Sequence, residues 1–224
     1  MEIYPNVHHI PRVTANPYLL IDPSGATLID AGLPGSDKKI LRYISGLGLK
    51  PEDLKRIIIT HADFDHIGGL AALKKASGAQ IYASPTEAAA IASGRASRAM
   101  YSTNALLKLV FWLMAHFGRT AMVKAIVLLS EGQVLPILGG LQVLETSGHT
   151  PGHISLYSPS AGILFSGDSI VSDQGRLVSS RKTFTWNREK AEESTRRQAG
   201  LGVTIVCPGH GPVVRDVSEK FPLI

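Results

Sequence analysis

A single cysteine, Cys207, occurs in 224 residues, so no intramolecular disulfide can staple the chain, and a reducing compartment is expected. No apolar run reaches the roughly 20 residues that a membrane-spanning helix needs, so no integral membrane segment is expected. Met1 to Arg12 carries Pro5, His8 and His9 where a secretory signal would have its apolar stretch. A cytoplasmic location follows as the expectation. Acid is missing from one long segment: between Ala88 and Ser130 there is no Asp or Glu, while Arg95, Arg98, Lys108, Arg119 and Lys124 all lie there. Those five cations equal the whole net charge of +5, so the rest of the chain is balanced. The basic character describes one segment, and no nucleic-acid partner is expected from it. Low-complexity tracts and short repeats are lacking as well.

What the chain does contain is a succession of short apolar runs that end in polar, glycine-rich turns. Strands are expected at Asn16 to Leu20, Ala26 to Asp30, Arg56 to Thr60, Gln80 to Ala83, Val134 to Ile137, Leu141 to Thr146, Ile154 to Tyr157, Ile163 to Phe165 and Val203 to Cys207. Helices are expected at Ser36 to Ser45, Ile67 to Ala76, from Pro85 onward, and Asn187 to Ala199. Between about 95 and 130 the rhythm breaks into two expected helices, Ser102 to Phe117 and Thr120 to Leu129. Two strand-rich halves, each ending in helices, imply an α/β fold: an αββα sandwich, one domain over 1–224, with a helical insertion at about 95–130.

The densest chemistry follows Ile57-Ile58-Ile59. His61, Asp63, Asp65 and His66 place four potential metal ligands in six residues. Asp and His are poor strand formers and are rarely buried unless paired or coordinated. A helix cap at Asp63 or Asp65 would account for one carboxylate and leave three groups unexplained. Two adjacent divalent ions explain both the density and the mixture of imidazole and carboxylate. Three further turns follow strands in the same way: Ser147-Gly148-His149-Thr150-Pro151-Gly152-His153, Ser166-Gly167-Asp168-Ser169 and Pro208-Gly209-His210-Gly211. Each alone is a weak signal. Together they yield His61, Asp63, Asp65, His66, His149, Asp168 and His210, all at strand ends.

In these motifs, with Leu28-Ile29-Asp30-Ala31-Gly32, the chain resembles the metallo-β-lactamase-fold superfamily of hydrolases, in the manner of its glyoxalase II and lactonase members. The resemblance runs from Tyr18 to Val214 and is specific for the fold rather than for the substrate. It implies two sheets back to back with helices outside and a two-metal site along one edge. By position, His61, Asp63 and His149 would hold the first ion, Asp65, His66 and His210 the second, and Asp168 would bridge them. Zinc is the expected metal, with iron or manganese as alternatives. The chain departs from the pattern at Asp63, where the family has the second histidine of its HxHxDH motif. Asp63 is read either as a true ligand that makes the first site harder and more anionic or as the mark of a weakened first site. The first is preferred, because aspartate binds zinc and iron well, and diiron members of the superfamily carry a carboxylate there. With three carboxylates facing two ions, weaker Lewis acidity than in a three-histidine site is expected.

The expected activity is hydrolysis of a small ester, thioester or lactone by a metal-bridging hydroxide, with Asp65 shuttling the proton. The alternatives are an iron-dependent oxidoreductase of the persulfide dioxygenase type and a non-catalytic metal-containing binding module, with phosphodiesterase chemistry as a lesser one. Asp30 is a candidate for orienting a ligand histidine, with a strand-end turn former almost as good a reading. His153 is read as support for its loop, Ser147, Ser166 and Ser169 as hydrogen-bonding groups, and Cys207 as an inert core thiol. His8, His9 and His116 are given no catalytic role. Asp173, Arg176 and Arg181 are read as solvated loop charges. The apolar run Leu106 to Met114, continued by Met122, Val123, Ile126, Val127 and Leu128, must bury against something: the sandwich, a second copy in a homodimer, an apolar substrate under a lid, or a membrane surface.

Overall fold

Alternation along the strands decides the architecture. The computed structural model describes residues 1–98, 122–180, 182–217 and 220–221. In the continuous run Ile57-Ile58-Ile59, Ile57 and Ile59 enter one core and Ile58 enters another. The same division separates Leu19 from Tyr18 and Leu20, and Leu28 from Ile29. Successive strand side chains point to opposite faces, so a strand without polar alternation is one that is covered on both sides.

Among the described residues the first sheet has seven strands in sequence order: β1 (Glu2–Tyr4), β2 (Val7–His9), β3 (Tyr18–Asp22), β4 (Gly25–Ile29), β5 (Leu54–Ile58), β6 (Gln80–Ala83) and β7 (Ile126–Leu128). Pairing is antiparallel from β1 to β4 and parallel from β4 to β7. Helices α1 (Asp37–Gly46), α3 (Leu70–Ser77) and α4 (Pro85–Ser93) cover its outer face through Ile40, Ile44, Leu70, Leu73 and Ile91. A single turn, α2 (Phe64–Ile67), precedes α3. The second sheet runs β15-β14-β11-β10-β9-β8, built from Val214–Arg215, Ile205–Pro208, Ile163–Gly167, Ile154–Ser158, Leu141–Glu145 and Val134–Leu135.

Its inner residues Val143, Leu156, Ile163, Phe165, Ile205 and Cys207 meet Tyr18, Leu20, Ile29 and Ile58 of the first sheet. Its outer residues Leu144, Tyr157, Leu164 and Val206 pack with Ile170 and Leu177 of a hairpin, β12 (Ile170–Asp173) and β13 (Arg176–Ser179). Helix α5 (Arg188–Ala199) lies against this hairpin, where Thr195 Oγ1 meets Ser179 Oγ at 3.0 Å. The expected αββα sandwich is therefore present. No helix among the described residues is long and apolar enough to cross a membrane.

Two expectations are corrected. The expected helix Thr120 to Leu129 is not found over its described residues: 122–125 are irregular and 126–128 form β7, which pairs in parallel with β6 through Ile81 and Ile126. A short apolar run does not by its period distinguish a helix from an edge strand, and the open edge of β6 supplies backbone partners for one. Asp173 and Arg176 do not lie in a loop: they close the β12–β13 hairpin as paired residues. Gln174 and Gly175 between them both have positive φ, 47° and 79°, as a two-residue turn of type I′ requires. Among the apolar residues near the break, Val123 is buried, whereas Met122 and Leu128 are exposed. The expected helix Ser102 to Phe117 lies outside the described residues, as do His116 and Arg181.

Phe165 sits at the centre of the inter-sheet core, edge-on to Tyr18 with ring centroids 5.4 Å apart. Phe165→Ala is expected to cost about 3–5 kcal/mol, measured as a lower urea midpoint at unchanged slope. A loss below about 1 kcal/mol would mean that the two sheets close over the cavity.

Candidate metal centre

All seven candidate ligands come together where the two sheets end. Strand β5 delivers His61, Asp63, Asp65 and His66, the β9–β10 turn delivers His149, β11 delivers Asp168, and β14 delivers His210. The sheets are stitched at this edge by a backbone bond from Ile154 N to Thr60 O at 3.0 Å, and within the second sheet Gly209 N reaches Gly167 O at 2.7 Å. Close approach depends on glycine. A Cβ on Gly209 would collide with the Asp168 carboxylate, and one on Gly167 would lie 2.7 Å from His153 Nε2.

Asp63 Oδ2 lies 3.1 Å from His149 Nε2 and 3.6 Å from His61 Nε2. Asp65 Oδ2 lies 3.2 Å from His210 Nε2. Asp168 reaches both groups: Oδ1 is 3.4 Å from His66 Nε2, and Oδ2 is 3.7 Å from His149 Nε2 and 3.4 Å from His210 Nε2. Ligands about 2.0–2.1 Å from a tetrahedral ion stand about 3.3–3.4 Å apart, which matches this spacing. His61 Nε2, His66 Nε2 and Asp168 Oδ1 are moreover buried without any hydrogen-bond partner. A buried polar atom left unpaired costs about 1–3 kcal/mol. Three such atoms facing one another are explained by cations between them, so the residues fit a metal. Three sets have ligand atoms close enough to share an ion: His61, Asp63 and His149; Asp65, His66 and His210; and His61, His66 and Asp168.

Three of the four histidines are aimed by a hydrogen bond at their other nitrogen. His66 Nδ1 donates to Asp30 Oδ2 at 2.8 Å, His61 Nδ1 to Thr60 Oγ1 at 3.0 Å and His149 Nδ1 to Ser180 Oγ at 2.8 Å. Asp30, at φ 60°, also accepts Thr60 N at 2.9 Å, so it both turns the strand end and orients a histidine. His153 uses both nitrogens internally: Nδ1 meets Thr146 Oγ1 at 2.8 Å, and Nε2 accepts from Asp168 N at 3.0 Å. It supports the loop, as expected. Ser166 and Ser169 donate their hydroxyls to the carbonyls of Ile170 and Ser166. Cys207 is fully buried, and that burial pushes its thiol up, out of the range of a reactive cysteine.

Burial alone would favour the neutral acid at Asp168 and Asp63. The surrounding charges win: His66, His149 and His61 hold Asp168 well below the usual carboxylate range. His61 and His149, with Arg98, do the same for Asp63. At His66 burial disfavours the cation, but Asp30 and Asp168 hold the imidazole well above its ordinary value. His210 is raised against burial by Asp65, and burial lowers His149. The two groups also differ in access, since the side chains of Asp65 and His210 are 30% and 31% exposed, whereas those of His61 and His66 are fully covered.

Three positioning residues escaped the sequence reading. Glu87, fully buried on α4, accepts Ala62 N at 2.8 Å, Thr150 Oγ1 at 2.7 Å and Gly152 N at 3.0 Å, and so ties the His61 turn to the His149 turn. Asn16 donates to the carbonyls of Pro208 and Gly211, flanking His210, and is itself held by His9. Arg98 forks onto both oxygens of Asp63, with Nη2 2.8 Å from Oδ2, and donates to Phe184 O at 3.0 Å. The only sequence hint of Arg98 is its place in the acid-free stretch. The cap reading of Asp63 does not hold: it occupies the N-cap of α2, but its side chain makes no cap hydrogen bond.

The profile of the Metallo-beta-lactamase superfamily matches residues 10–210. YobT of Bacillus subtilis is 32% identical over 216 residues, which cover 92% of this chain and 87% of that protein. The hydroxyacylglutathione hydrolase of Rhodobacter capsulatus is 31% identical over 159 residues, 70% of this chain and 48% of that enzyme. A metallo-β-lactamase of Cronobacter sakazakii, described by a HARLDQ motif, aligns with a TM-score of 0.73 at 26% identity, over 93% of this chain and 79% of that one. The matched stretch contains every residue of the cluster, so the fold and the cluster go together, and the chain belongs to the metallo-β-lactamase superfamily.

Proposed function

We propose that the protein is a zinc-dependent hydrolase of small esters, thioesters or lactones, working with two ions at the end of the sandwich. The observation that carries this reading is the set of buried, unpartnered ligand atoms, His61 Nε2, His66 Nε2 and Asp168 Oδ1, facing one another. His61, Asp63 and His149 would hold one ion, Asp65, His66 and His210 the other, and Asp168 would serve both. Bound divalent ions supply an acidified water as nucleophile and a Lewis acid for the substrate carbonyl.

The chain's own residues do the rest. Asp30 fixes the His66 ring with Nε2 toward the site. Glu87 keeps the two ligand turns in register. Asp65, on the accessible side, takes up the proton that the attacking water gives up and returns it to the departing oxygen or sulfur. Phe64, Phe184 and Trp186 are partly exposed along the segments that carry the ligands or hold Arg98, and they offer apolar surface to an acyl group. The relative named as a hydroxyacylglutathione hydrolase supports acyl transfer to water. Because this chain covers 48% of that enzyme, its substrate is carried over only as a class.

The test is turnover of an ester, thioester and lactone panel by protein purified without added metal and assayed for metal content. Stoichiometric iron with oxygen uptake on persulfide would replace hydrolysis by an oxidative reaction. Turnover of none of these by folded, metal-loaded protein would favour a binding module. Asp30→Asn is expected to weaken metal affinity by about 10–100-fold, read by chelator competition, with the fold retained by circular dichroism. In metal-free protein the carboxylates of Asp30 and Asp168 raise His66 well above its ordinary value against burial, which favours the protonated ring. Loading with metal must therefore release that proton, measured by calorimetry in two buffers of different protonation enthalpy. Binding heats independent of buffer would remove His66 from the ligand set.

A further inference from the structure

The place where this chain departs from a histidine-only first group is also where it carries a buried arginine. The Arg98 side chain is 2% exposed, and its guanidinium is fixed by three hydrogen bonds: two to Asp63 and one to Phe184 O. Nη2 stands 3.4 Å from His149 Nε2, an atom that would face an ion in this group. Any cation entering between His61, Asp63 and His149 therefore meets a cation already in place. Among the described residues no guanidinium or ammonium pairs with the second group: Asp65 pairs there with His210, and Asp30 adds a further carboxylate behind His66.

A count of carboxylate and guanidinium charges, which a binding ion does not displace as it displaces an imidazole proton, expresses the difference. Among the ligand side chains and the groups bonded directly to them, Asp63 and Arg98 cancel, so the first group is neutral apart from the shared Asp168. The second group carries Asp65 and, one bond farther out, Asp30. A neutral, already occupied pocket binds a divalent ion less tightly than an anionic one, because the ion gives up the same hydration in both.

We infer that Arg98 is a built-in counter-cation which neutralises Asp63 and makes the His61–Asp63–His149 group the weaker of the two metal positions, so that the ions load in order. The second group fills first, and the first group fills only at higher free metal. This rests on the two-ion reading above. A guanidinium fork uses the two carboxylate oxygens from one side and leaves each a lone pair on the other, so Asp63 remains able to face an ion while Arg98 stays bound. The pair thus replaces a neutral imidazole by a ligand of the same net charge, with a cation that opposes loading.

The test is stepwise zinc binding to metal-free protein, followed by chelator competition and by elemental analysis of the isolated complexes. Wild type is expected to bind two ions with dissociation constants at least about tenfold apart. Arg98→Met removes the charge and should tighten the second step by at least about tenfold while leaving the first step within about threefold. Arg98→Lys keeps the charge without the fork and should leave the gap open. Equal steps in wild type overturn the proposal and leave the two-ion reading standing, and this result needs no variant to fold. An unchanged or weakened second step in Arg98→Met also overturns it, as does an Arg98→Lys protein that behaves like Arg98→Met. One ion in wild type and two in Arg98→Met supports it. One ion or none in both sinks the two-ion reading and this inference with it.

Discussion

Buried charge at the seam of the two sheets is the constraint on which the rest of the structure turns. Removing a carboxylate from water opposes its ionisation, yet Asp63 and Asp168 are held in the charged form because imidazoles stand 3.1–3.7 Å away. The imidazoles in turn are held by groups behind them: Asp30 for His66, Thr60 for His61 and Ser180 for His149. None of these side chains is stable in the interior alone. Each depends on loops from both sheets arriving within a few tenths of an ångström, which is why Gly167 and Gly209 leave no room for a Cβ.

That arrival is arranged from outside the cluster. Glu87 is on a helix that contributes no ligand, yet its carboxylate ties together turns from different sheets. Asn16 does the same for the turn after β14, from a loop before β3. A polar clamp of this kind works only when fully satisfied, since a buried carboxylate with a missing donor would cost more than it contributes. The centre is asymmetric in both charge and access. Arg98 covers the Asp63 side, and Asp65 and His210 face outward on the other. The proposed chemistry needs the accessible side for substrate and proton transfer.

Local pattern made much of this visible. The covered strands announced themselves as runs without polar alternation, and Ile57-Ile58-Ile59 does divide between two cores. The seven ligand candidates stood out because histidine and aspartate at strand ends have no packing purpose, and the structure brings all seven together. Legibility failed where the signal was short or came from elsewhere. Strands β1, β2, β12, β13 and β15 span only two to four residues each. Ile126–Leu128 became a strand because β6 offered an edge, which no property of those three residues specifies.

The sequence by itself determined the sandwich and the identity of the candidate ligands, because hydrophobic period and residue chemistry are local properties that survive without coordinates. Only the tertiary structure decided what Asp63 faces. Thirty-five residues separate it from Arg98, and nothing in either neighbourhood signals the other. Charge neutralisation acts through space at a few ångströms, so a partner that far along the chain becomes visible only when the fold has closed. The same holds for Glu87 and Asn16, whose hydrogen-bond partners lie on turns far along the chain.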